Sequence, residues 1–323
     1  MKTETVIKKI VRDNGIINPI FRNVIKVFNR FVKSMSRLTS LYRVYGKVNL
    51  NMCDVPFKIY SASDDHIANE IFYKQSYEDE EFLLVKKLTQ RSHYFIDVGA
   101  NTGIFSIFAA TANKDLKVLS YEPHPSNYQR LLKNIQINSL SSIIAFPNAV
   151  GQHEEVIQFT LPASGGLSTT ASVNESFASN FSKILYQKID VKQITLDDAL
   201  QPYTISPCDL LKVDVEYYEL EVLKGAQMTL STKRPLLLIE ILHYESLVEQ
   251  FPDMKGKINQ NHATEIQNFL FSLGYFPFAL ESNGIRHITS VLDSPGKRNF
   301  LFMPRKINEN FISFNDIGGL ILS

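Results

Sequence analysis

Residues 94–103 read Tyr-Phe-Ile-Asp-Val-Gly-Ala-Asn-Thr-Gly, and this stretch decides the fold. Its first part, Tyr94–Val98, has the apolar character of a buried strand. Glycine at positions 99 and 103 lets the backbone turn sharply and lets a ligand approach without a Cβ in the way. A helix is predicted from Gly103 to Thr111, and its N-terminus offers free amide donors to a carboxylate.

From Tyr94 onward, predicted strands alternate with predicted helices, which indicates a parallel sheet. The strands are predicted at Tyr94–Val98, Lys117–Glu122, Ile143–Asn148, Asp209–Asp214 and Pro235–Ile241. The helices are predicted at Gly103–Thr111, Pro125–Asn138, Tyr218–Leu230 and His262–Leu273. Two final strands, Gly274–Leu280 and Asn299–Met303, should form an antiparallel pair. The predicted fold class is therefore α/β, with a doubly wound, mostly parallel sheet and an antiparallel last strand.

The main domain is predicted to span residues 76–305, and a β-hairpin with a polar loop interrupts the alternation at 151–195. The Ser, Thr and Gly residues of segment 164–172 are interpreted either as a lid over an acceptor or as a linker. An N-terminal extension, 1–75, and a C-terminal tail, 306–323, flank this domain.

The N-terminal extension is basic, whereas the rest of the chain is acidic. Residues 1–60 contain 12 Lys and Arg against 3 Asp and Glu, and the remainder contains 22 against 30. Apolar residues recur every three or four positions over 20–45 with basic residues between them, which predicts a basic amphipathic helix. Three roles are open for this helix. Its apolar stripe is expected to dock on the main domain, to dock on the second subunit of a homodimer, or to contact a membrane surface. A short β-hairpin is predicted after it, at Lys47–Met52 and Pro56–Tyr60.

Motifs that are missing from the sequence limit the partners and the cellular location that we expect. No nucleic-acid readout motif accompanies the basic segment, so no specific nucleic-acid partner is expected. Cys53 and Cys208 cannot make a disulfide framework, and no Cys/His cluster has metal-ligand spacing. No apolar run reaches the ~18 residues of a membrane span, and the start lacks a secretory pattern. A cytoplasmic location is expected, with the amphipathic segment as a route to a membrane surface.

The spacing of the turn indicates which cofactor it binds. A dinucleotide fingerprint is G-x-G-x-x-G, whereas this turn is D-x-G-x-x-x-G, from Asp97 to Gly103. An acid at the start of the turn favours a ligand with an amine and a positive centre over a diphosphate. Glu122, at the end of the next strand, is placed to accept hydrogen bonds from both ribose hydroxyls. S-adenosylmethionine fits these features and NAD fits poorly.

Several stretches of the chain resemble the FkbM family of methyltransferases. Phe95–Gly103 resembles the family's first motif, and Tyr121-Glu122-Pro123 looks like its second element. Residues similar to its most distinctive segment are Thr195–Asp198, Leu210–Glu216 and Glu219–Ala226, followed by Pro235–Ile241. The resemblance covers roughly residues 80–305.

The resemblance implies a seven-stranded Rossmann-like sheet, S-adenosylmethionine as the methyl donor, and a hydroxyl acceptor on a sugar, polyketide or lipid-like metabolite. Within the turn, Asp97, Gly99, Asn101 and Gly103 are the candidate cofactor residues. The chain departs from the family at Tyr217, where glycine is usual after the Asp-Val-Glu triplet. A side chain there is expected to narrow the space over the sheet edge or to contribute to the acceptor pocket.

The remaining candidate residues follow the later strands, because ligands of open α/β sheets bind at the carboxyl ends of the strands. Asn148 is expected at the adenine edge, and a turn asparagine is the alternative. Asp214 is a candidate for both cofactor binding and catalysis. Glu216, Glu240 and His243 are candidates for the base that takes the acceptor's proton. The spacing of these acids is not diagnostic of Mg²⁺, so no metal ligand is predicted.

Two other functions compete with O-methylation. Methylation of nucleic-acid or protein amines typically uses an Asn/Asp-Pro-Pro-aromatic motif after the fourth strand, where this chain has Asp214–Tyr217. A cofactor-binding scaffold without turnover is the second alternative, and Tyr217 is the feature that motivates it.

Overall fold

The computed structural model describes residues 43–62, 64–163, 167–168, 171–179, 185–305 and 309–317. The amphipathic helix predicted at 20–45 lies outside these residues except for its last three positions. Its contacts with the domain, a second subunit or a membrane therefore stay predictions. Across the residues described, the helices are too short or too polar to cross a membrane.

The described chain opens with the predicted β-hairpin. Strand β1, Tyr45–Met52, pairs antiparallel with β2, Val55–Ala62. The two turn residues, Cys53 and Asp54, both have positive φ, which matches the twist of a tight hairpin. Alternate residues of β1 are buried, so the hairpin presents one apolar face.

Twelve further strands follow among the described residues: β3 Tyr94–Val98, β4 Lys117–Tyr121, β5 Ile143–Phe146, β6 Ala149–Val150, β7 Glu155–Pro162, β8 Tyr186–Ile194, β9 Leu210–Val213, β10 Leu236–Glu240, β11 Phe276–Glu281, β12 Gly284–His287, β13 Asn299–Met303 and β14 Phe311–Ser313. The α-helices are α1 His66–Lys74, α2 Asp79–Thr89, α3 Ile104–Ala112, α4 Pro125–Asn138, α5 Glu175–Ala178, α6 Leu196–Ala199, α7 Glu219–Lys224, α8 Tyr244–Gln250 and α9 His262–Ser272. A π-helix spans Thr229–Lys233, and 3₁₀ turns span Pro252–Met254 and Val291–Asp293.

The central sheet has the strand order β14-β12-β11-β13-β10-β9-β3-β4-β5. The five strands from β10 to β5 are parallel, and β13 is antiparallel to both of its neighbours. Helices cover both faces, because separate apolar clusters pack on the two sides of the sheet. The α/β, doubly wound fold class with an antiparallel last strand is confirmed.

The strand count differs from the expected seven, since the described sheet has nine strands. The two additional strands are β12 and β14. Strand β12 returns from β11 through a tight turn at Ser282 and Asn283, and β14 then pairs antiparallel with it. Both are short and lie in turn-rich sequence, so their alternation gives little signal.

A second sheet is formed by two strands of the predicted insertion at 151–195 and by β6, which directly precedes it. Strands β7 and β8 form a long antiparallel pair, as the hairpin prediction expects, and β6 joins β8 in parallel. The hairpin therefore follows β5 and the short β6, at the carboxyl edge of the central sheet.

Asn134 of α4 links the N-terminal hairpin to the turn from Asp97 to Gly103, which we call the glycine turn. It is fully buried; its Oδ1 accepts from the Tyr60 amide at 2.7 Å, and its Nδ2 donates to the Thr102 carbonyl at 2.8 Å. Asn134→Ala leaves both partners unsatisfied, so we expect the free energy of unfolding to fall by about 2–4 kcal/mol in urea denaturation. Gln136→Ala, on the exposed side of the same helix, should change it by less than about 0.5 kcal/mol. An equal effect of the two variants would contradict this role.

Candidate functional site

A cavity of about 320 Å³ lies at the carboxyl ends of β3, β4, β9 and β10. It brings together most of the residues that the sequence analysis selected. Those lining it are Asp97, Gly99, Asn101, Glu122, Asn148, Asp214, Glu216 and Glu240. Gly103 and His243 are not among its lining residues. The strand-end rule for open α/β sheets therefore selects residues that the structure brings together around one cavity.

The turn after β3 is shaped by contacts that leave no room for side chains. Gly99 has φ +85°, and a Cβ there would lie 1.8 Å from the backbone oxygen of Asp214. Gly103 has φ +83°, and its Cβ would lie 2.3 Å from Cδ1 of Leu131. Gly103 thus shapes the turn and packs against α4, which corrects its assignment as a ligand contact. Asn101, also at positive φ, remains on the cavity wall.

Asp97 is buried beneath this turn. Its Oδ2 accepts from the Ser106 hydroxyl, whereas its Oδ1 has no hydrogen-bond partner among the residues described. Burial raises the pKa of Asp97, and the nearby Lys212 cation opposes that rise. An unpartnered carboxylate oxygen on a cavity wall is suited to a cationic hydrogen-bond donor such as an ammonium.

Glu122 lies at the end of β4 and is 5% exposed. Its Oε2 accepts from the Asn101 amide at 2.7 Å, and its Oε1 accepts from the His124 amide at 2.8 Å. Burial raises the pKa of Glu122 to about 7, although these two hydrogen bonds favour the charged form. Each oxygen has a second lone pair, so the carboxylate can still accept from two hydroxyls.

The wall beyond Glu122 is mainly apolar. Asn148 lines it and donates to the Lys192 carbonyl at 3.3 Å. Val150 and Phe159 line it as well, and the ring of Tyr121 stacks on Phe146 with centroids 4.9 Å apart. Phe159 was not among the predicted site residues; the available signal was an apolar residue in β7, a strand that follows β5 and β6. Such a wall is suited to a flat aromatic base.

Three carboxylates meet at the ends of β9 and β10. Oxygens of Asp214, Glu216 and Glu240 lie within 4.8 Å of one another, and we call these residues the acid cluster. Burial raises the pKa of Glu216 and of Glu240, and the neighbouring carboxylates raise both further. Such oxygen ligands can bind a divalent cation or accept a proton.

Lys212 is the buried cation beneath the acid cluster, and the sequence analysis did not select it. It is 3% exposed; its Nζ lies 2.7 Å from Oδ2 of Asp214 and 4.7 Å from the ring centroid of Phe105. Burial favours the neutral amine, but Asp214, Asp97 and Glu78 outweigh it and raise the pKa of Lys212. A lysine inside an otherwise apolar strand was the available signal.

His243 does not fit the role of catalytic base. It precedes α8 and is 4% exposed, and its ring lies against Phe300 with centroids 6.1 Å apart. Burial lowers the pKa of His243, and Nε2 has no hydrogen-bond partner among the residues described. The side chain packs on the sheet instead of reaching the cavity, so the prediction of a base at this position is wrong.

Tyr217 also points away from the cavity. Its ring stacks on His262 at 4.1 Å and on Phe177 at 5.4 Å between centroids. The expectation that this side chain narrows the acceptor space is therefore wrong. Tyr217 was also the feature that motivated the alternative of a cofactor-binding scaffold without turnover, so it no longer supports that alternative.

The described part of the predicted lid segment lies against the cavity. The Ser168 carbonyl accepts from Nδ2 of Asn127 at 2.7 Å and from Nδ2 of Asn101 at 3.3 Å. Ser172 Oγ donates to the Glu216 carbonyl at 2.6 Å. Residues 164–166 and 169–170 lie outside the described residues. The segment therefore contacts both the glycine turn and the acid cluster.

This chain is similar to known proteins. The methyltransferase FkbM domain model matches residues 97–277, more than half of the chain. Methyltransferase sdnD of Sordaria araneosa is 28% identical over 183 residues, which span 49% of this chain and 69% of that protein. Methyltransferase 1 of Beauveria bassiana (strain ARSEF 2860) is 24% identical over 173 residues, spanning 50% and 66%. The crystal structure of methyltransferase FkbM from Methylobacillus flagellatus KT superposes with a TM-score of 0.40 at 17% identity, covering 66% of this chain and 43% of that one.

His124, next to Glu122, makes stability depend on pH. Its Nδ1 accepts from the Ser126 and Asn127 amides at 3.2 and 3.4 Å and so caps α4. Burial lowers the pKa of His124 from 6.5 to about 4. Because the folded-state pKa lies below the unfolded one, this stabilisation is complete above pH 6.5 and is lost as the pH falls towards 4.

Asparagine at position 124 can cap the helix but does not titrate. Between pH 7 and pH 4.5, we therefore expect the unfolding free energy of His124→Asn to fall by about 1–3 kcal/mol less than that of the wild type. Urea denaturation at both pH values measures this difference. His93→Asn, at an exposed histidine, should retain the wild-type pH dependence. Identical pH slopes for wild type and His124→Asn would refute the role.

Proposed function

The chain belongs to the FkbM methyltransferase family, and on that premise we propose that it transfers a methyl group from S-adenosylmethionine to a hydroxyl group. The acceptor is a sugar, a glycan or another hydroxylated metabolite. The observation that carries the proposal is the order of charged groups along one sheet edge. Glu122 follows β4, the glycine turn follows β3, and the acid cluster follows β9 and β10.

The cavity residues fit the proposed cofactor. The unpartnered Oδ1 of Asp97 would hold the ammonium, and Glu122 would hold the ribose hydroxyls. Gly99 leaves space where any Cβ would collide with Asp214, and the wall containing Phe159 suits the adenine. When bound, the cofactor supplies an electrophilic methyl group on a sulfonium.

The spacing of the strands gives the distance between Glu122 and the acid cluster. Glu122 and Glu240 end strands that are three positions apart in the sheet, which is about 14 Å at ordinary strand spacing. That span accommodates a nucleoside with its amino-acid arm. The acid cluster then lies beyond the nucleoside, where an acceptor would meet the methyl group.

The acid cluster supports a hydroxyl acceptor, because a base that takes the hydroxyl proton assists the transfer. Burial and like charge raise the pKa of Glu216 and of Glu240, which makes each a stronger base than a solvent-exposed carboxylate. Lys212 stays protonated and limits the repulsion within the cluster. Two apolar residues, Leu247 and Phe251, and the cationic Arg298 also line the cavity.

Isothermal titration calorimetry with S-adenosylmethionine tests the cofactor assignment. Glu122→Gln loses the charge offered to the ribose and replaces one of the two oxygens that accept from backbone amides with a donor, so we expect affinity to fall about 10- to 100-fold. Glu154→Gln changes an exposed acid paired with Lys192 and should leave affinity within about twofold. Tight binding of NAD, or an unchanged affinity of Glu122→Gln, would contradict the assignment.

Release of S-adenosylhomocysteine from mixtures of S-adenosylmethionine with hydroxylated compounds tests the acceptor class. Each compound is paired with the analogue in which an amine replaces the hydroxyl. We expect turnover with the hydroxyl member, and Glu240→Gln should lower kcat by about 100-fold or more at saturating cofactor. Turnover with the amine members alone would show N-methylation instead.

A further inference from the structure

The turn that follows β9 has an unfavourable backbone conformation. Glu216 and Tyr217 have φ of 56° and 70°, so two consecutive residues with side chains lie in the left-handed region. Residues with a Cβ are less stable in this region than in ordinary backbone conformations. Surrounding contacts must therefore hold the turn in place.

A single buried carboxylate binds the amides on both sides of Glu216. Glu219 is 1% exposed, and its Oε1 accepts from the Val215 amide at 3.3 Å and from the Tyr217 amide at 3.1 Å. Glu219 itself is absent from the residues that line the cavity. It therefore fixes the turn from behind.

His262, the first residue of α9, holds Glu219 in that position. Its Nε2 lies 2.8 Å from Oε2 of Glu219, and both side chains are buried. The imidazole also stacks on Tyr217, whose hydroxyl donates to the Asn259 carbonyl. The N-terminal end of α9 thus contacts both the carboxylate and the aromatic ring of the strained turn.

We propose that Glu219, oriented by His262, is a positioning residue that sets the Glu216 carboxylate where it acts on the sulfonium charge of the bound methyl donor. This inference rests on the proposed function. Neither Glu219 nor His262 lines the cavity, so both act through the backbone of residues 215–217.

The charge difference between donor and product reports on the position of Glu216. S-adenosylmethionine carries a positive sulfonium, whereas S-adenosylhomocysteine has a neutral thioether and shares every other group. A carboxylate held near the sulfur strengthens binding of the donor only. The ratio of the two affinities therefore cancels effects on the nucleoside and reports on the groups around the methylsulfonium, and the change of this ratio in Glu216→Gln measures the part due to Glu216.

Calorimetric titration of the full chain with both ligands tests the proposal. We expect Glu216→Gln and Glu219→Ala each to lower the donor-to-product affinity ratio by about three- to tenfold. Glu219→Gln, which keeps an oxygen for the two amides, should restore the wild-type ratio within about twofold. The control Glu221→Ala changes an acid of the same helix that forms a surface pair with Lys224. Its affinity ratio should stay within about twofold of the wild-type ratio.

The outcomes separate the two proposals. If the wild type binds neither ligand, the proposed function fails. If both ligands bind and Glu216→Gln alone lowers the ratio, the function stands and the role of Glu219 is overturned. If Glu216→Gln leaves the ratio unchanged, Glu216 does not act on the sulfonium, and the inference is overturned.

A second variant covers the case in which Glu219→Ala does not fold. His262→Leu keeps the Glu219 carboxylate but removes its buried partner and the stack on Tyr217. We expect it to lower the affinity ratio and to speed hydrogen exchange of the amides of Val215 and Tyr217. A folded His262→Leu protein with the wild-type ratio would overturn the proposal.

Discussion

At the carboxyl edge of the sheet, the backbone of Gly99 lies directly against the backbone carbonyl of Asp214. A Cβ on Gly99 would sit 1.8 Å from that oxygen, so only glycine permits the approach. The Asp214 amide donates to the Val98 carbonyl at 3.0 Å, which continues the β3–β9 pairing to this point. The glycine turn and the first residue of the acid cluster are therefore fixed to each other by main-chain contacts.

This arrangement concentrates negative charge in a small volume. The carboxylates that line the cavity are Glu78, Asp97, Glu122, Asp214, Glu216 and Glu240. Two cationic side chains, Lys212 and Arg298, line it with them. Burial raises the pKa of Glu78 and of Glu122 to about 7, because the nearby cation and hydrogen bonds offset the cost of burying each charge only in part. A ligand with an ammonium and a sulfonium would supply the missing positive charge.

Local patterns were sufficient to predict the parallel strands, the glycine turn and Glu122. Each depends on a strand of a few residues followed by a turn, and the crossover rule then places all strand ends at one edge. The direction of a side chain at the end of a strand cannot be predicted in this way, because it depends on tertiary packing. His243 follows β10 as the acids do, yet its ring turns towards Phe300, a residue of β13 far along the chain.

The same limit applies to Lys212 and to Glu219. Lys212 stands in a strand that reads as fully buried, and only the convergence of Asp97, Asp214 and Glu78 explains a charge there. Glu219 reads as an ordinary acid in the first turn of a helix, a position that the helix dipole favours. Its partner, His262, is 43 residues away, so no local pattern connects the two.

Tyr217 shows how this chain keeps the turn beside the cavity without the glycine that the resemblance to the family leads one to expect. A tyrosine at φ 70° costs roughly 1–2 kcal/mol of backbone strain. Its ring, however, makes two stacking contacts, with His262 and Phe177, and such pairs contribute about 0.5–1.5 kcal/mol each beyond their buried area. Packing behind the turn is thus large enough to offset the strain. The position of Glu216 in the cavity consequently depends on residues that no ligand touches.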